Sequence, residues 1–544
     1  MVISTGMRPE DPWVFRSHTC SNTPLRHDLD CASEEPPTTA QASPTTAREF
    51  ELKLRVSDAF RLPDLVAGVP YVAGAEAQPV RNLTAEYYDT ADFRLFRSGV
   101  TLRRREGGND AGWHLKLPAN GGARDEIHLP LSAGAAGRIP DALFDIVTAL
   151  RREAPLRLVA TLQTQRRPLL LNRADGKSFA ELVDDAVSIL DHGQLQAAFR
   201  EVEIEALLPE MADQLQAVAA YLIQHGAVVE HRQKVETALG AGAFKQPDVM
   251  RLPWPRPQNP AGSALRAHLA KHVYRLLQED GRMRRDLPDA VHQMRVAARQ
   301  LRSGLKVFVP MVDRQWARQL HTEIGWIASE LGAIRDTEVL LQLLTDHATA
   351  LPPEQSRLAR QAIDEALQPR LASARAEALT GLRTQRYQDL LESLVTAVND
   401  PRLTDQARQP CEKILPPLVE HSWRSLKKRV RQLGPESSAP DWHRARIAAK
   451  KTRYAAEIMA PIFGERTKAF ARSLACVTDV LGDQHDATIA QQALAAFADA
   501  VNLDGPSGDA LDLLSANEQD GELQLRKDFW SIWPAVVKAH RLLP

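Results

Sequence analysis

Residues 246–262, QPDVMRLPWPRPQNPAG, divide this chain more sharply than any other stretch of it. Each of the five prolines lacks an amide hydrogen and fixes its own φ, so neither a helix interior nor a sheet ladder accepts the segment. It is expected to be a linker. The hydrophobic period differs on its two sides. From Arg48 to about Gly242, short runs such as EFELKLRV, VTLRRRE, GWHLKLP, EIHLPL and REVEIEAL alternate at every second position between Gly, Pro, Asn and Asp turns. That period is expected of antiparallel strands, with a few helices among them. Beyond the prolines the chain is rich in Ala, Leu and Arg at helical period, with breaks near Leu351-Pro352-Pro353, Asn399-Asp400-Pro401 and Gly434-Pro435. Residues 1–47 carry neither period and are expected to be disordered. The expected fold class is therefore α+β multidomain: a disordered segment 1–47, a β-domain 48–245, the linker 246–262 and an all-α domain 263–544.

Charge divides at the same place. Residues 1–244 hold 26 Lys and Arg against 33 Asp and Glu, whereas residues 245–544 hold 42 against 36. Opposite signs argue for different ligands on the two halves. No apolar stretch approaches the ~20 residues that cross a bilayer, and the start MVISTGMRPEDPW lacks the basic and apolar regions of a secretory signal. A cytoplasmic protein without a membrane partner is expected. Cys20, Cys31, Cys411 and Cys476 form no CxxC pair, which argues against a zinc site or a disulfide framework. A metal would sit on oxygen.

In the β-half, Glu49, Glu51 and Lys53 alternate and would share one face of a strand. Glu201, Glu203 and Glu205 form a second acidic row, Arg103 and Arg105 share a face, and Lys116, Arg124 and Arg166 add cations on expected strands. A solvated face would explain any one of these strands. A barrel closed with the rows inward would explain them together, setting a carboxylate wall against a wall of guanidinium and ammonium groups. Such a lumen suits a polyanion with a hard divalent cation, Mg²⁺ or Mn²⁺, because carboxylates bind the cation and Arg forks pair with phosphate oxygens. His114 and His128 read as wall or surface residues. Tyr88 and Asp89 read either as part of the site or, through the Asp89-Thr90 pair, as a turn.

The segments EFELKLRV, YYDTADFRLFRSGVTLRRRE, GWHLKLP, ELVDDAVSI, FREVEIEAL and HRQKVETAL stand in the order found in CYTH domains. This half resembles that family, the triphosphate tunnel metalloenzymes. The resemblance implies an eight-stranded antiparallel tunnel. It implies metal ligation by Glu49, Glu51, Glu201, Glu203 and Glu205 with Asp184 beside them, and phosphate contacts from Lys53, Arg103, Arg105, Lys116, Arg124, Arg166 and Lys234. Lys53, Glu49 and Glu51 would serve catalysis. Water would attack a terminal phosphorus with no covalent nucleophile. The same tunnel could instead cyclise ATP, as class IV adenylate cyclases do, or take thiamine triphosphate.

The α-half repeats itself. VHQMRVAARQLR and WHRARIAAKKTR place a His and then basic residues three, seven and ten positions on: His292, Arg295, Arg299 and Arg302 in one, His443, Arg446, Lys450 and Arg453 in the other. Lys306 extends the first set. These offsets put each set on one helix face, and no intervening acid pairs it internally. Each is followed by an LGxxxD element, Leu331–Asp336 and Leu481–Asp486, whose aspartates either hold the stripe arginines or cap helices. Such duplication implies two similar helical bundles side by side, with two basic stripes forming a channel for a long anion. The motifs resemble CHAD domains from about Ser263 to Pro544. That resemblance implies polyphosphate binding, with Lys271, Arg275, Arg424, Lys427, Lys428 and Arg431 on preceding helices as further contacts. Nucleic acid would bind with similar salt sensitivity, but the stripes offer few aromatics for base stacking. The expected protein is an inorganic triphosphatase whose helical half holds polyphosphate, with polyphosphate granules as a place for it. A granule-binding protein whose tunnel only senses phosphate chains is the non-catalytic alternative.

Overall fold

The computed structural model describes residues 51–118, 124–191, 193–208, 211–240, 245–434, 437–501 and 524–543, without the side chains of 51, 124, 212–213, 484–488, 490–491 and 495–501. Glu49 and the segment 1–47 lie outside the described residues, as do the side chains of Glu51, Arg124 and Asp486.

The first half is one antiparallel sheet of ten strands: β1 Glu51–Val56, β2 Gly74–Ala77, β3 Arg81–Asp89, β4 Thr101–Glu106, β5 Gly112–Pro118, β6 Arg124–Leu129, β7 Arg157–Asn172, β8 Ser178–Asp191, β9 Gln194–Ala206 and β10 Val228–Val229. Their order is β10-β1-β9-β8-β7-β3-β4-β5-β6, with β2 also on β7. Eight strands were expected, and the two extra ones have local causes. β2 and β3 run along the same edge of β7, against Leu169–Asn172 and Arg157–Arg166. Pro79, which has no amide hydrogen to give the ladder, separates them. β10 is a two-residue addition to β1. Among the described residues the sheet ends at β6 and β10, so hydrogen bonds do not close the expected barrel.

Six short helices accompany the sheet: α1 Leu65–Gly68, α2 Arg94–Arg97, α3 Asp141–Ile146, α4 Thr148–Arg151, α5 Ala212–Gln224 and α6 Lys234–Leu239. Strand alternation sorts the side chains into two faces. Outward Leu54, Val56, Leu182, Val202 and Ile204 are buried against Leu215, Val218 and Leu222 of α5. Outward Leu102, Trp113, Leu115 and Ile127 are buried against Leu143 and Val147 beside α3 and α4. At about 1.5–3 kcal/mol per buried side chain, these two cores fix which face is outer. The residues of opposite parity, among them Lys53, Arg103, Lys116, Asp185 and Glu203, must then face inward. α6 joins them there, packing Val235 against Ala85, Tyr87, Ala160, Leu162 and Val187.

The second half is helical: α7 Ala261–Arg284, α8 Ala290–Val307, α9 Arg314–Ala348, α10 Pro353–Leu382, α11 Gln385–Asn399, α12 Cys411–Val430, α13 Ala439–Phe463 and α14 Glu465–Val501, followed by a helical segment at 524–540. α8 packs on α7 and α9, α13 on α12 and α14, and α8 meets α13. The repeats therefore touch through the helices that carry the stripes. One apolar core runs from Ala261 on α7 to Val536 in the last helical segment. No described helix is long and apolar enough to cross a membrane.

Residues 246–259 of the Pro-rich segment form neither helix nor strand, its last two residues already begin α7, and the segment is docked rather than loose. Val249 is buried, and Leu252 and Trp254 pack on the helical core. Its Asp248 takes Arg97 at 2.5 Å and also Arg152 from the sheet half. Other ion pairs cross directly: Arg284, fully buried on α7, to Asp145 of α3 at 2.7 Å, Arg285 to Asp125 at 3.1 Å, and Arg152 to Glu392 of α11 at 2.6 Å. The two halves form one compact unit.

Candidate active site and polyanion surface

Strand register decides which charged residues meet. Lys53 stands opposite Glu203, Glu51 opposite Glu205 and Asp185 opposite Glu201. On the other side of the sheet Tyr87 stands opposite Arg103, Arg103 opposite His114 and Lys116 opposite Glu126. Lys234, the first residue of α6, reaches in from the helix on the same inner face.

Around the acidic row, three cations and three carboxylates interlock. Lys234 Nζ lies 2.7 Å from Glu203, 2.8 Å from Asp185 and 3.0 Å from Glu201. Lys53 Nζ donates to Glu203 Oε1 at 2.9 Å. Arg166 forks onto Asp185 at 3.0 and 2.7 Å and reaches Glu203 at 3.0 Å. Burial works against the charge on Lys234, but Glu203, Asp185 and Glu201 outweigh it and raise its pKa. Burial also opposes ionisation of Glu203, yet Lys234, Lys53 and Arg166 hold its carboxyl well below the usual range. Glu201 differs. It is fully buried, and Lys234, 3.0 Å from one oxygen, is its one ion-pair partner among the described residues. Burial, with the Glu203 charge beside it, pushes its pKa up despite Lys234. A carboxylate desolvated in this way is costly unless a ligand completes its shell.

The facing strands carry the complement. The Nε–H groups of Arg103 and Arg105 are buried without an acceptor. Arg103 Nη1 is 3.5 Å from the Tyr87 hydroxyl; burial opposes ionisation of that phenol, but Arg103 holds it below its ordinary value. Burial and crowding by Arg103 and Arg166 push Arg105 down to about 9, although Asp110 touches it. Arg105 stays charged at neutral pH, and an anion would relieve it. His114 hydrogen-bonds Glu126 at 2.8 Å and the Asp110 carbonyl at 2.9 Å, and Lys116 pairs with Glu126 at 3.1 Å. Burial, aided by Arg103 and Arg105, pushes His114 down to about 4. His128 is exposed.

One expected site residue is displaced. Asp184 stands opposite Val202 on the outer face, where Arg200 binds it bidentately at 2.7 and 2.6 Å. The inward acid is its neighbour Asp185, because side chains of a strand alternate. The pairing of β8 with β9, which sets Asp185 opposite Glu201, selects it. Glu205 is half-buried at the end of the acidic row, opposite Glu181. Asp89 accepts from the amides of Thr90, Leu95 and Phe96 at 2.6, 3.0 and 2.9 Å, so it shapes the turn into α2. Tyr87 and Glu126, on the inner face, were not among the expected residues; their register opposite Arg103 and Lys116 places them there. Glu201 and Glu203 offer hard oxygen ligands of the kind Mg²⁺ or Mn²⁺ prefers, although the described residues alone bring no three metal-ligating groups together.

In the helical half, α8 and α13 bring the two stripes to one place. The Tyr454 phenol on α13 feels Arg299 of α8 as well as Arg453 and Arg446 of its own helix. Burial, then Arg302 and Lys451 of α13, lower the pKa of Lys306. Gln300 of α8 donates to Glu457 of α13 at 3.0 Å. Arg295 is held by Asp336 at 2.6 Å, and Arg453 by Glu457 at 2.6 Å and Thr478 at 2.7 Å. Asp336 lies inside α9, so it orients an arginine and caps nothing. The Nε–H groups of Arg299 and Arg302 are buried without an acceptor. His321 of α9, beside Lys306 and Arg302, is pushed down to about 4, chiefly by burial. His292 is lowered by burial and by Arg335. The other expected contacts are not gathered here. Arg275 lines a cavity against the sheet half. Arg424 pairs with Glu420 on its own helix at 3.0 Å, and nothing described joins it, Lys427, Lys428 or Arg431 to the stripes. Lys271 is exposed on α7, near His268 and His272.

This geometry agrees with what the chain is similar to. The CYTH domain family matches residues 47–234 and the CHAD domain family residues 267–495. A protein of Mycobacterium tuberculosis is 32% identical over 504 residues, 88% of this chain and 94% of the relative. The chain belongs to the CYTH and CHAD families. Among solved structures, PptA from Streptomyces chartreusis is 21% identical with a TM-score of 0.44, covering 51% of this chain and 99% of its own. The CHAD domain from the plant Ricinus communis is 23% identical with a TM-score of 0.44, covering 53% and 95%. A Hippeastrum protein described with a dominant triphosphatase activity is 16% identical with a TM-score of 0.21, covering 35% and 94%. By its family match the CYTH half is of the triphosphate tunnel kind, whose members are divalent-metal-dependent enzymes acting on triphosphates, and the CHAD half is of a kind associated with polyphosphate.

Proposed function

We propose that the CYTH half hydrolyses inorganic triphosphate at its terminal phosphoanhydride and that the CHAD half holds polyphosphate. One observation carries the first reading. A single inner face holds a fully buried carboxylate, Glu201, whose one ion-pair partner among the described residues is Lys234, and buried guanidinium N–H groups without acceptors, on Arg103 and Arg105. Those groups are complementary to a divalent cation and a phosphate chain. In this reading Glu49, Glu51, Glu201 and Glu203, with Glu205 at the end of the row, hold Mg²⁺ or Mn²⁺. Such a cation supplies charge neutralisation and polarises phosphoryl oxygens. Arg103, Arg105, Lys116 and Arg124 bind phosphate oxygens from one side. Lys53, Arg166 and Lys234 exchange their carboxylate partners for phosphate as the chain enters. Water attacks the terminal phosphorus, the bridging P–O bond breaks, and the water's proton passes to a carboxylate of the row. In the CHAD half, the stripes His292, Arg295, Arg299, Arg302 and Lys306, and His443, Arg446, Lys450 and Arg453, contact the polymer.

The test is a panel of tripolyphosphate, thiamine triphosphate, ATP and long polyphosphate with Mg²⁺ or Mn²⁺, reading phosphate and cyclic AMP. Tripolyphosphate should turn over fastest without cyclic AMP, and Arg103→Glu should raise KM and lower kcat together. Cyclic AMP from ATP, or no turnover of any substrate, would overturn the reading.

A further inference from the structure

We propose that the cavity between the CYTH and CHAD halves is a second ligand site, for a small amphipathic anion: a planar apolar body with a single anionic head, as in a nucleoside monophosphate. The cavity holds about 440 Å³, within the range of pockets that enclose small organic ligands, and such pockets favour domain seams. Its apolar wall is assembled from separate segments: Leu117 from β5, Val100 just before β4, Val249 from the Pro-rich segment and Leu277 from α7. Tyr274 adds an aromatic ring, with Arg251 5.5 Å from its centroid and its hydroxyl accepting from Gln278 at 2.6 Å. A fixed ring beside an apolar wall suits a planar body.

The charges of the cavity set the head. Five arginines line it, and four are paired: Arg285 with Asp125 at 3.1 Å, Arg282 with Glu279 at 2.9 Å, and Arg94 and Arg152 with Asp248. Arg275 is half-buried and has no carboxylate at ion-pair distance among the described residues; the nearby Glu279 is engaged by Arg282. One spare guanidinium fits one anionic head. A long phosphate chain would leave the apolar wall unused and meet Asp125, Asp248, Glu279 and Asp289 with like charge. Orthophosphate would leave most of the volume unfilled. The tunnel is a separate place. Leu117 and Asp125 are neighbours in register and face outward, whereas Lys116 and Glu126 face the lumen, so the sheet itself stands between the two sites.

Titration calorimetry of the full chain with adenosine monophosphate, adenosine and orthophosphate tests this. The monophosphate should bind at least about tenfold more tightly than either fragment, since each lacks one half of the recognition. Arg275→Met keeps the apolar stem and removes the charge, and should weaken the nucleotide about tenfold or more. Arg103→Glu, in the tunnel, should leave it bound. If Arg275→Met does not fold, as judged by circular dichroism, Tyr274→Leu takes its place, with a several-fold loss expected. Binding lost in Arg103→Glu and kept in Arg275→Met would put the nucleotide in the tunnel and overturn the proposal. Orthophosphate binding as well as the nucleotide, or no nucleotide binding at millimolar concentration, would overturn it too.

Discussion

At the scale of single residues, Glu201 shows how a site departs from a core. Its carboxylate has been taken from water with Lys234 as its one ion-pair partner among the described residues, which is costly for a group with two oxygens to satisfy. Glu201→Gln keeps the shape, removes the buried charge and leaves Lys234 with Asp185 and Glu203. Turnover of tripolyphosphate at saturating metal should fall about 10²-fold or more, while the melting temperature holds or rises, since strained functional groups are commonly stabilising to remove. Full turnover in this variant would take Glu201 out of the site. The neighbouring pair is a sharper test of strand parity. Asp185→Asn should impair turnover, whereas Asp184→Asn should only free Arg200 on the outer face; equal activity in the two would contradict the inward placement of Asp185. The alternating acids and arginines were legible in the chain. The one-residue distinction between Asp184 and Asp185 needed the pairing with β9, because both occur in the run Val183-Asp184-Asp185-Ala186 and only register says which faces Glu201.

At the scale of elements, α8 and α13 act as a pair. Each stripe repeats a cation every three or four residues, about 5 Å along a helix, and the two helices meet. A flexible phosphate chain anchored on one stripe meets the other at high effective concentration. Reversing Arg295, Arg299, Arg446 and Lys450 together should therefore reduce polyphosphate affinity far more than reversing either pair. Calorimetry at two salt concentrations, with DNA as competitor, measures this; equal binding to DNA, or no loss in the fourfold variant, would refute it. α7 carries a different titration. His268 is buried, hydrogen-bonded to the Gln300 carbonyl at 3.0 Å and packed where Gly304 leaves room, since a Cβ there would lie 2.3 Å from its ring. Burial pushes it down to about 4, and His272 beside it is held well below its usual value by burial and by His268. Both stay neutral in the fold, while the unfolded chain takes up protons below about pH 6.5. The penalty is absent above that pH and grows as pH falls toward 4, with His268 alone costing on the order of 2 kcal/mol at pH 5. Urea melts at pH 7.5 and 5 should differ by at least this much; identical stability would contradict it.

At the scale of the whole molecule, the seam is ionic and partly buried. Arg284 has no exposed side-chain surface and is held by Asp280 at 2.8 Å, Asp145 at 2.7 Å and the Leu382 carbonyl at 2.9 Å, while Tyr387 donates to Asp280 at 2.8 Å. Removing one partner of a buried pair costs roughly 3–5 kcal/mol. Asp145→Ala with Asp248→Ala strips the seam from both sides. The full chain should melt in one calorimetric transition, and this double variant in two, with the CYTH half first. A single transition in the variant would show that apolar contacts suffice to join the halves.

Much of this organisation was readable along the chain, because its causes act over a few residues. Alternation at every second position marked β1, β4, β5, β6 and β9, helical spacing marked the stripes, and proline's missing amide marked the breaks after Ala348, Asn399 and Val430. What depended on distant partners was not readable. Lys53 meets Glu203 across 150 positions and Arg152 meets Glu392 across 240. Contacts of that kind decided that β2 and β10 extend the sheet, that the Pro-rich segment is pinned through Asp248, and that Asp185 rather than Asp184 enters the lumen. Local pattern constrains which face of an element is charged, but only the packing of one element on another decides what that face meets.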